Sequence, residues 1–423
     1  MRLKSLFAFA FLLATSSWEL LAAENWPQWR GPLGTGVAAE GDYPVKFSGS
    51  EGAAWKVELP GKGSSTPAVW GDRIFVTCAI EGQDGVVCYD MQGKELWRKQ
   101  LGAERAGKHR NGSGSNPSPV TDGEHVVVYF KSGTLASFSP DGKEQWKLNV
   151  QDKFGKDTLW WDLGTSPVIV NGRVIVATVQ SDDAYLVALD VDSGETAWKT
   201  VRQYQVPEEC DHSYSTPQVV NVGGKNVIVT WGADHLTGHD ADTGKLLWES
   251  GGFNPQNESN WRTIASPTVA DGIAVVPYGR GLFLAGVKVD GSGDVTESGR
   301  LWENSERGQS ADVPSPVIAD GKIYLLNDLG KVSCLDLQTG KEKWTADLPK
   351  NRAKFYGSPV LAGNKFYAVR EDGAMFVGEV GDNGFKLLAE NDMGEHVIAT
   401  PVPIRDGLLV RGEENLFRFD AAE

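Results

Sequence analysis

Cysteine and methionine are scarce in this chain of 423 residues, with four of each. No two cysteines are adjacent and no C-x-x-C-H occurs, so a haem attachment site and a redox centre built on neighbouring thiols are both excluded. Basic residues are outnumbered, 41 against 56, and the net charge of −15 leaves no electrostatic footprint for phosphates. Nucleic acid is therefore excluded as a partner. No apolar run approaches the ~20 residues that a membrane-spanning helix needs. Gly-x-Ser-x-Gly, Walker and dinucleotide fingerprints are missing, which removes the commonest hydrolase and nucleotide-binding readings.

What the chain has in excess is glycine, 50 residues, and tryptophan, 15. Many glycines and aromatics with few methionines point to turns and strands. Arg2 and Lys4, the apolar stretch from Leu6 to Ala14, and Ala22-Ala23 read as a secretory signal over residues 1–23. No cysteine comes after that stretch to take a lipid, so no lipid anchor is indicated, and the expected location is periplasmic or secreted. Residues 24–54 are expected to form an N-terminal strap, with Trp26-Pro27-Gln28-Trp29-Arg30-Gly31-Pro32 packed on the body of the fold.

From residue 55 to 423 the chain repeats. A Ser-Pro or Thr-Pro pair before a β-branched run recurs at Thr66, Ser118, Ser166, Thr216, Ser266, Ser315, Ser358 and Thr400. The prolines of these pairs are spaced by 52, 48, 50, 50, 49, 43 and 42 residues. Each copy holds four strand-like pieces with period-two alternation, the last a glycine turn with tryptophan four residues on. Four antiparallel strands repeated radially make a propeller blade. The eighth copy stops before its glycine-and-tryptophan strand. The segment from Ala53 to Val57 supplies the missing one, so N- and C-terminal segments should pair in one blade and bury two edges. The expected fold is all-β: an eight-bladed β-propeller of four-stranded antiparallel blades, closed by that pairing. Trp55, Trp97, Trp146, Trp198, Trp248, Trp302 and Trp344 are the expected docking residues between blades, with Leu388 in the tryptophan position of blade 7. The fifth blade stretches its last turn from Asp290 to Trp302.

The pattern Leu186-x-Ala188-Leu189-Asp190-x-x-x-Gly194-x-x-x-Trp198, repeated with changes at 236–248 and 332–344, resembles the tryptophan-docking repeat of pyrroloquinoline quinone (PQQ) propellers. The resemblance implies docking of each tryptophan between blades. It spans quinone-dependent dehydrogenases and non-catalytic propellers such as the BamB-type component of outer-membrane protein assembly. The alcohol dehydrogenases of the family carry a vicinal cysteine pair and a Glu/Asn/Asp calcium set, and this chain has no adjacent cysteines.

Loops entering successive blades carry His109, Arg110, Trp161, Asp162, Asp211, His212, Trp261, Arg262, Arg307, Tyr356 and His396, which should surround one end of the central channel. Such a mouth suits an acidic, planar or polar ligand; the alternative is a set of solvated loops and inter-blade hydrogen bonds. Asp211 and His212 are neighbours in sequence and would point opposite ways in a strand. Cys78 and Cys88 flank a turn at 82–85, and a cross-strand disulfide is one reading. The other is that Cys88 fills the small position held by Ala188 and Cys334. No catalytic residue and no metal site is assigned. The expectation is a monomeric, exported, non-catalytic scaffold that meets a protein or polymer on a loop-rich face, with no cofactor. The alternative is a PQQ-dependent, dehydrogenase-like enzyme or small-ligand binder that uses the mouth residues.

Overall fold

Runs that alternate β-branched and small residues, such as Arg173–Thr178 and Tyr185–Asp190, pair as antiparallel strands in the computed structural model, which describes residues 25–305, 308–405 and 407–421. Eight sheets form from consecutive segments, each of four strands, and two of them gain a fifth. They are the eight blades of a β-propeller. Blade 1 runs from Ala68–Trp70 outward to Glu95–Ala103, and blade 8 begins at Val402–Ile404. The ring closes as the repeat requires: Trp55–Glu58 pairs antiparallel with Asn415–Asp420, Trp55 opposite Arg418 and Glu58 opposite Asn415. The expected signal segment, 1–23, lies outside the described residues.

The apolar core sits between blades rather than at the centre. One cluster joins blades 1 and 2 through Phe75, Val86 and Phe138, and another joins blades 4 and 5 through Trp231, Trp248 and Phe283. Tryptophan docking organises these layers. The indole N–H of Trp55 donates to Met91 O of the next blade at 2.8 Å. Trp97, Trp146, Trp198, Trp302 and Trp344 donate likewise to Pro140, Val191, Ala241, Leu337 and Gly381. Except for Trp344, these rings lie on the next blade's turn glycine. A Cβ on Gly194 would meet the Trp146 ring at 2.7 Å, and the φ of +70° there is itself a glycine conformation. Three of them also cover a small residue across their own blade: Cys88 faces Trp97, Ala188 faces Trp198 and Cys334 faces Trp344. A Cβ at Gly238 would sit 2.2 Å from the Trp248 ring.

Trp248 breaks the pattern. Its N–H has no partner among the described residues, because blade 5 offers no short turn to receive it. The stretched turn instead sends Gly293–Asp294 back to pair in parallel with Trp248 and Glu249. Backbone pairing replaces indole docking at this joint.

Two expectations are corrected by the strand register. In blade 7 the hairpin is longer, with Gly384 inside the ladder opposite Gly381, so Ala389, not Leu388, lies opposite Val377 in the tryptophan position. The Phe385 ring covers Gly378 instead. Cys78 and Cys88 are not bonded. The hairpin turns at Glu81-Gly82, which places Cys78 opposite Gly85 and Cys88 opposite Phe75. The three-residue offset puts the two thiols on opposite faces of the sheet, one in the layer toward blade 8 and the other in the layer toward blade 2.

The N-terminal strap crosses the channel. Trp26 bridges Val69 in blade 1, Pro27 O accepts from Thr121 in blade 2, and Leu33 O accepts from Gln218 in blade 4. Val37–Ala38 then joins blade 7 in parallel. Arg30 lies at the middle of this crossing, 1% exposed, and donates to Pro359 O at 3.1 Å and to Pro316 O. Gly36 lies against it: a Cβ there would meet the guanidinium at 2.5 Å.

Replacing Trp198 by alanine removes both the ring on Gly244 and the inter-blade hydrogen bond. The expected loss is about 3–5 kcal/mol in denaturant titrations, and a cost under about 1 kcal/mol would refute the docking role. Removing residues 25–61 leaves blade 8 with three strands and an open edge, and the shortened chain is expected to aggregate. A monomeric product with unchanged melting would show that the strap and closing strand are dispensable.

Candidate functional site

Strand direction decides which loops share a face. In each blade the innermost strand leaves the mouth and the second returns, so the loop entering the blade and the turn joining its second and third strands lie at the same end of the channel. Both kinds of segment line a cavity of about 450 Å³ there. Its floor is the ring of Thr66, Ser118, Ser166, Thr216, Ser266, Ser315, Ser358 and Thr400, with Trp29 of the strap behind it. His109, Trp161, Asp162, Arg262 and Tyr356 come together on its walls, as their positions in the entering loops predict.

Asp162 is held hard. Its carboxylate pairs with the buried ammonium of Lys131 and accepts the amides of Lys108 (2.7 Å) and His109 (2.9 Å). Burial pushes this carboxyl up, but Lys131 and the two amides outweigh it and hold it below its ordinary value. Glu371, from a turn, is tied in the same way. Arg110 reaches it at 2.8 Å, Asn111 at 2.9 Å and the Lys354 amide at 3.0 Å. Burial raises this carboxyl too, and Asn111, the Lys354 amide, Arg110 and His396 together bring it below the usual range. Glu209 accepts from the Trp161 indole at 3.0 Å and from Arg262 at 3.4 Å, and the Arg262 guanidinium lies over the Trp161 ring.

A second pair of acids behaves differently. Asp312 and Asp328 are joined by the Asp312 amide, which donates to Asp328 Oδ2 at 2.8 Å. Burial pushes Asp328 up to about 6, the Asp312 amide opposes this and the neighbouring Asp312 charge adds to it. Asp312 is raised by burial against the pull of Arg262, Arg280 and Lys354. Arg280 and Lys354 form no ion pair among the described residues and line the cavity near Asp312, on which both act at a distance.

Other predicted residues lie elsewhere. Arg110 stands on the rim. Trp261 packs edge-on against Tyr278 at 5.4 Å. His212 is 1% exposed beneath Trp160 and shares Nε2 with Ser181 Oγ at 2.9 Å. Asp211 lies 3.7 Å from the same nitrogen, and Nδ1 has no partner among the described residues. A relay would need the carboxylate on Nδ1, so Ser181, His212 and Asp211 are not one. His396 belongs to the seam between blades 8 and 1. Arg307 lies outside the described residues. Lys131, Arg280, Asp328 and Glu371 come from the turns between second and third strands. The repeat period carries the signal for them, once strand direction is counted.

Comparisons with known proteins agree on the fold. The family model described as outer membrane protein assembly factor BamB matches residues 45–128, 83–278 and 291–384. The BamB of Burkholderia pseudomallei is 26% identical over 358 residues, covering 83% of this chain and 82% of the relative. The crystal structure of BamB from Moraxella catarrhalis superposes with a TM-score of 0.62 at 16% identity over 87% of this chain and 99% of that one. The quinohemoprotein alcohol dehydrogenase of Comamonas testosteroni gives a TM-score of 0.70 at 14% identity, over 96% and 83%.

The Asp312–Asp328 pair makes a pH signature. Asp328 rises from 3.8 to about 6 on folding, so the folded state holds more protons between these values. The stability this carboxyl contributes is whole below about pH 4 and is lost as pH rises through about 6. Asp328→Asn is therefore expected to gain on the parent by up to about 2–3 kcal/mol between pH 4.5 and 7.5. Urea titrations at the two pH values measure this, and a difference independent of pH would exclude the raised carboxyl.

Proposed function

The chain belongs to the family described as outer membrane protein assembly factor BamB, and on that footing we propose that it is a monomeric, non-catalytic scaffold of the cell envelope whose mouth face docks a protein or polymer. Residues 1–23 then act as a cleaved export signal without a lipid anchor, 24–54 as the strap and 55–423 as the propeller. The observation that carries the reading is the apolar surface at the mouth. Trp160 (46% exposed), Trp161 (41%), Leu282 (38%) and Leu329 (70%) all stand on mouth loops. Exposed tryptophan and leucine around a rigid rim are what a partner buries first. No helix among the described residues is long and apolar enough to cross a membrane.

A calcium-bound quinone does not suit these residues. Asp162 and Glu371 are already spent on Lys131 and Arg110. Asp312 and Asp328 are pushed toward their neutral forms, which are poor ligands for a hard cation. The four cysteines are buried singly. A second reading, a small anionic ligand in the cavity, is favoured by Arg280 and Lys354, neither ion-paired among the described residues.

Deleting the gene is expected to lower the amount of folded outer-membrane β-barrel protein, and the parent chain to restore it. A Trp160→Asp, Leu329→Asp double variant should fail to restore it while melting like the parent. Unchanged barrel content after deletion would defeat the scaffold reading. PQQ with Ca²⁺ should give no saturable quenching of tryptophan fluorescence, and saturable quenching together with dye-linked alcohol oxidation would establish the enzyme instead.

A further inference from the structure

The seam between blades 8 and 1 differs from the other joints. Around the axis, successive Ser/Thr residues are linked by N–H to Oγ hydrogen bonds from Thr66 through Ser358. Among the described residues that link is not made from Ser358 to Thr400, nor from Thr400 to Thr66. Beside this gap, next to the mouth cavity, lies a small cavity of about 10 Å³, lined by Lys62, Asn111, His396, Arg411 and Glu413. It has room for about one water-sized or halide-sized occupant.

The lining is charged and unbalanced. Arg411 is 1% exposed and uses Nη1 on Ser65, while Nε and Nη2 have no partner among the described residues. The Nε2 atom of His396, on the same wall, is likewise buried without a partner among them. No carboxylate of the described residues reaches the guanidinium: Glu413 is paired with Lys62 at 3.2 Å, and Glu395 accepts from Asn415. The groups nearest in charge are Cys78 and Tyr89, both driven toward their neutral forms by burial. Burial lowers Arg411 only to about 10, so it stays cationic at neutral pH. A buried cation with free N–H groups and no counter-charge is costly unless something anionic meets it.

We propose that this cavity is a binding site for one small monovalent anion of halide size, held by Arg411 and His396, that ties the last blade to the first. It adjoins the mouth cavity, with which it shares Ser64, Asn111, Ile398 and Ala399, and it does not rest on the scaffold reading. The anion takes the place of the missing ring links, so the joint made by the two chain ends is completed by a solute.

The test uses the whole protein with chloride and bromide as probes. At equal ionic strength, melting temperature is expected to rise saturably with sodium chloride or bromide relative to sodium gluconate, whose anion is too large to enter. Crystals grown in bromide should show an anomalous peak between Arg411 Nη2 and His396 Nε2. Arg411→Met should abolish the difference between chloride and gluconate, and His396→Ala should raise the half-saturating chloride concentration several-fold. The bromide map needs no variant, so it decides even if Arg411→Met does not fold. Identical melting in all three salts, or a water without anomalous signal at the site, would overturn the proposal.

Discussion

The hydrogen bond from one Ser/Thr amide to the next blade's hydroxyl sets the propeller. Thr66 donates to Ser118, Ser118 to Ser166, and so on to Ser358, at 2.8–3.0 Å. Each link is worth only about 0.5–1.5 kcal/mol. Their value is geometric, because each fixes the spacing of two blades at the axis, where strands are closest. The proline next in the chain brings no N–H into this crowded zone and sets φ for the start of the inner strand. Tryptophan docking then fixes the same spacing at the outer radius. A blade held at both radii cannot pivot, so the loops above it are presented on a rigid base.

This two-point attachment is why the fold was legible. Ser/Thr-Pro and Gly-x-x-x-Trp recur because joints need both, and the count of eight comes from the period. What the sequence did not disclose was register. Cys78 and Cys88 are placed on opposite faces by a turn at Glu81-Gly82, and nothing in a run of Glu, Gly, Gln and Asp distinguishes that turn from one three residues later. Likewise the longer hairpin of blade 7, with Gly384 paired to Gly381, moves Ala389 into the docking position. A hairpin that closes later shifts which outer-strand residue meets Val377 without altering the apolar pattern around it. The stretched turn of blade 5 was visible as extra glycines, but its pairing with Trp248 depends on a neighbour that no local pattern encodes.

The site was half legible for a related reason. Loops that enter a blade carry the repeat motif at their ends, so His109, Trp161, Asp162, Arg262 and Tyr356 could be placed by counting. The turns one hairpin later look like ordinary surface turns: Gly279-Arg280-Gly281, or Asp328 and Leu329 before Gly330. Strand direction returns them to the same face, and they contribute the cation Arg280, the raised carboxyl Asp328 and the anchors Lys131 and Glu371. The misplaced residues, His212 and Trp261, sit at the right height but turn into the blade, where Trp160 and Tyr278 cover them.

The two ends of the channel are consequently unequal. At the far end the strap is threaded through blades 1, 2, 4, 6 and 7, with Arg30 buried on carbonyls, and any change there disturbs several blades together. At the mouth, loops of different length rise from a fixed ring and can vary without touching it. The chain's charge sharpens this difference. At −15 overall it repels polyanions, and salt confines that repulsion to within about a Debye length, ~10 Å, of the surface. Approach to within that range therefore favours neutral or basic surfaces. Only at contact do Trp160 and Leu329 offer apolar area and Arg280 and Lys354 offer positive charge. Recognition at this face has to be short-ranged, made by shape and buried aromatic surface, with the cations selecting among partners that have already arrived.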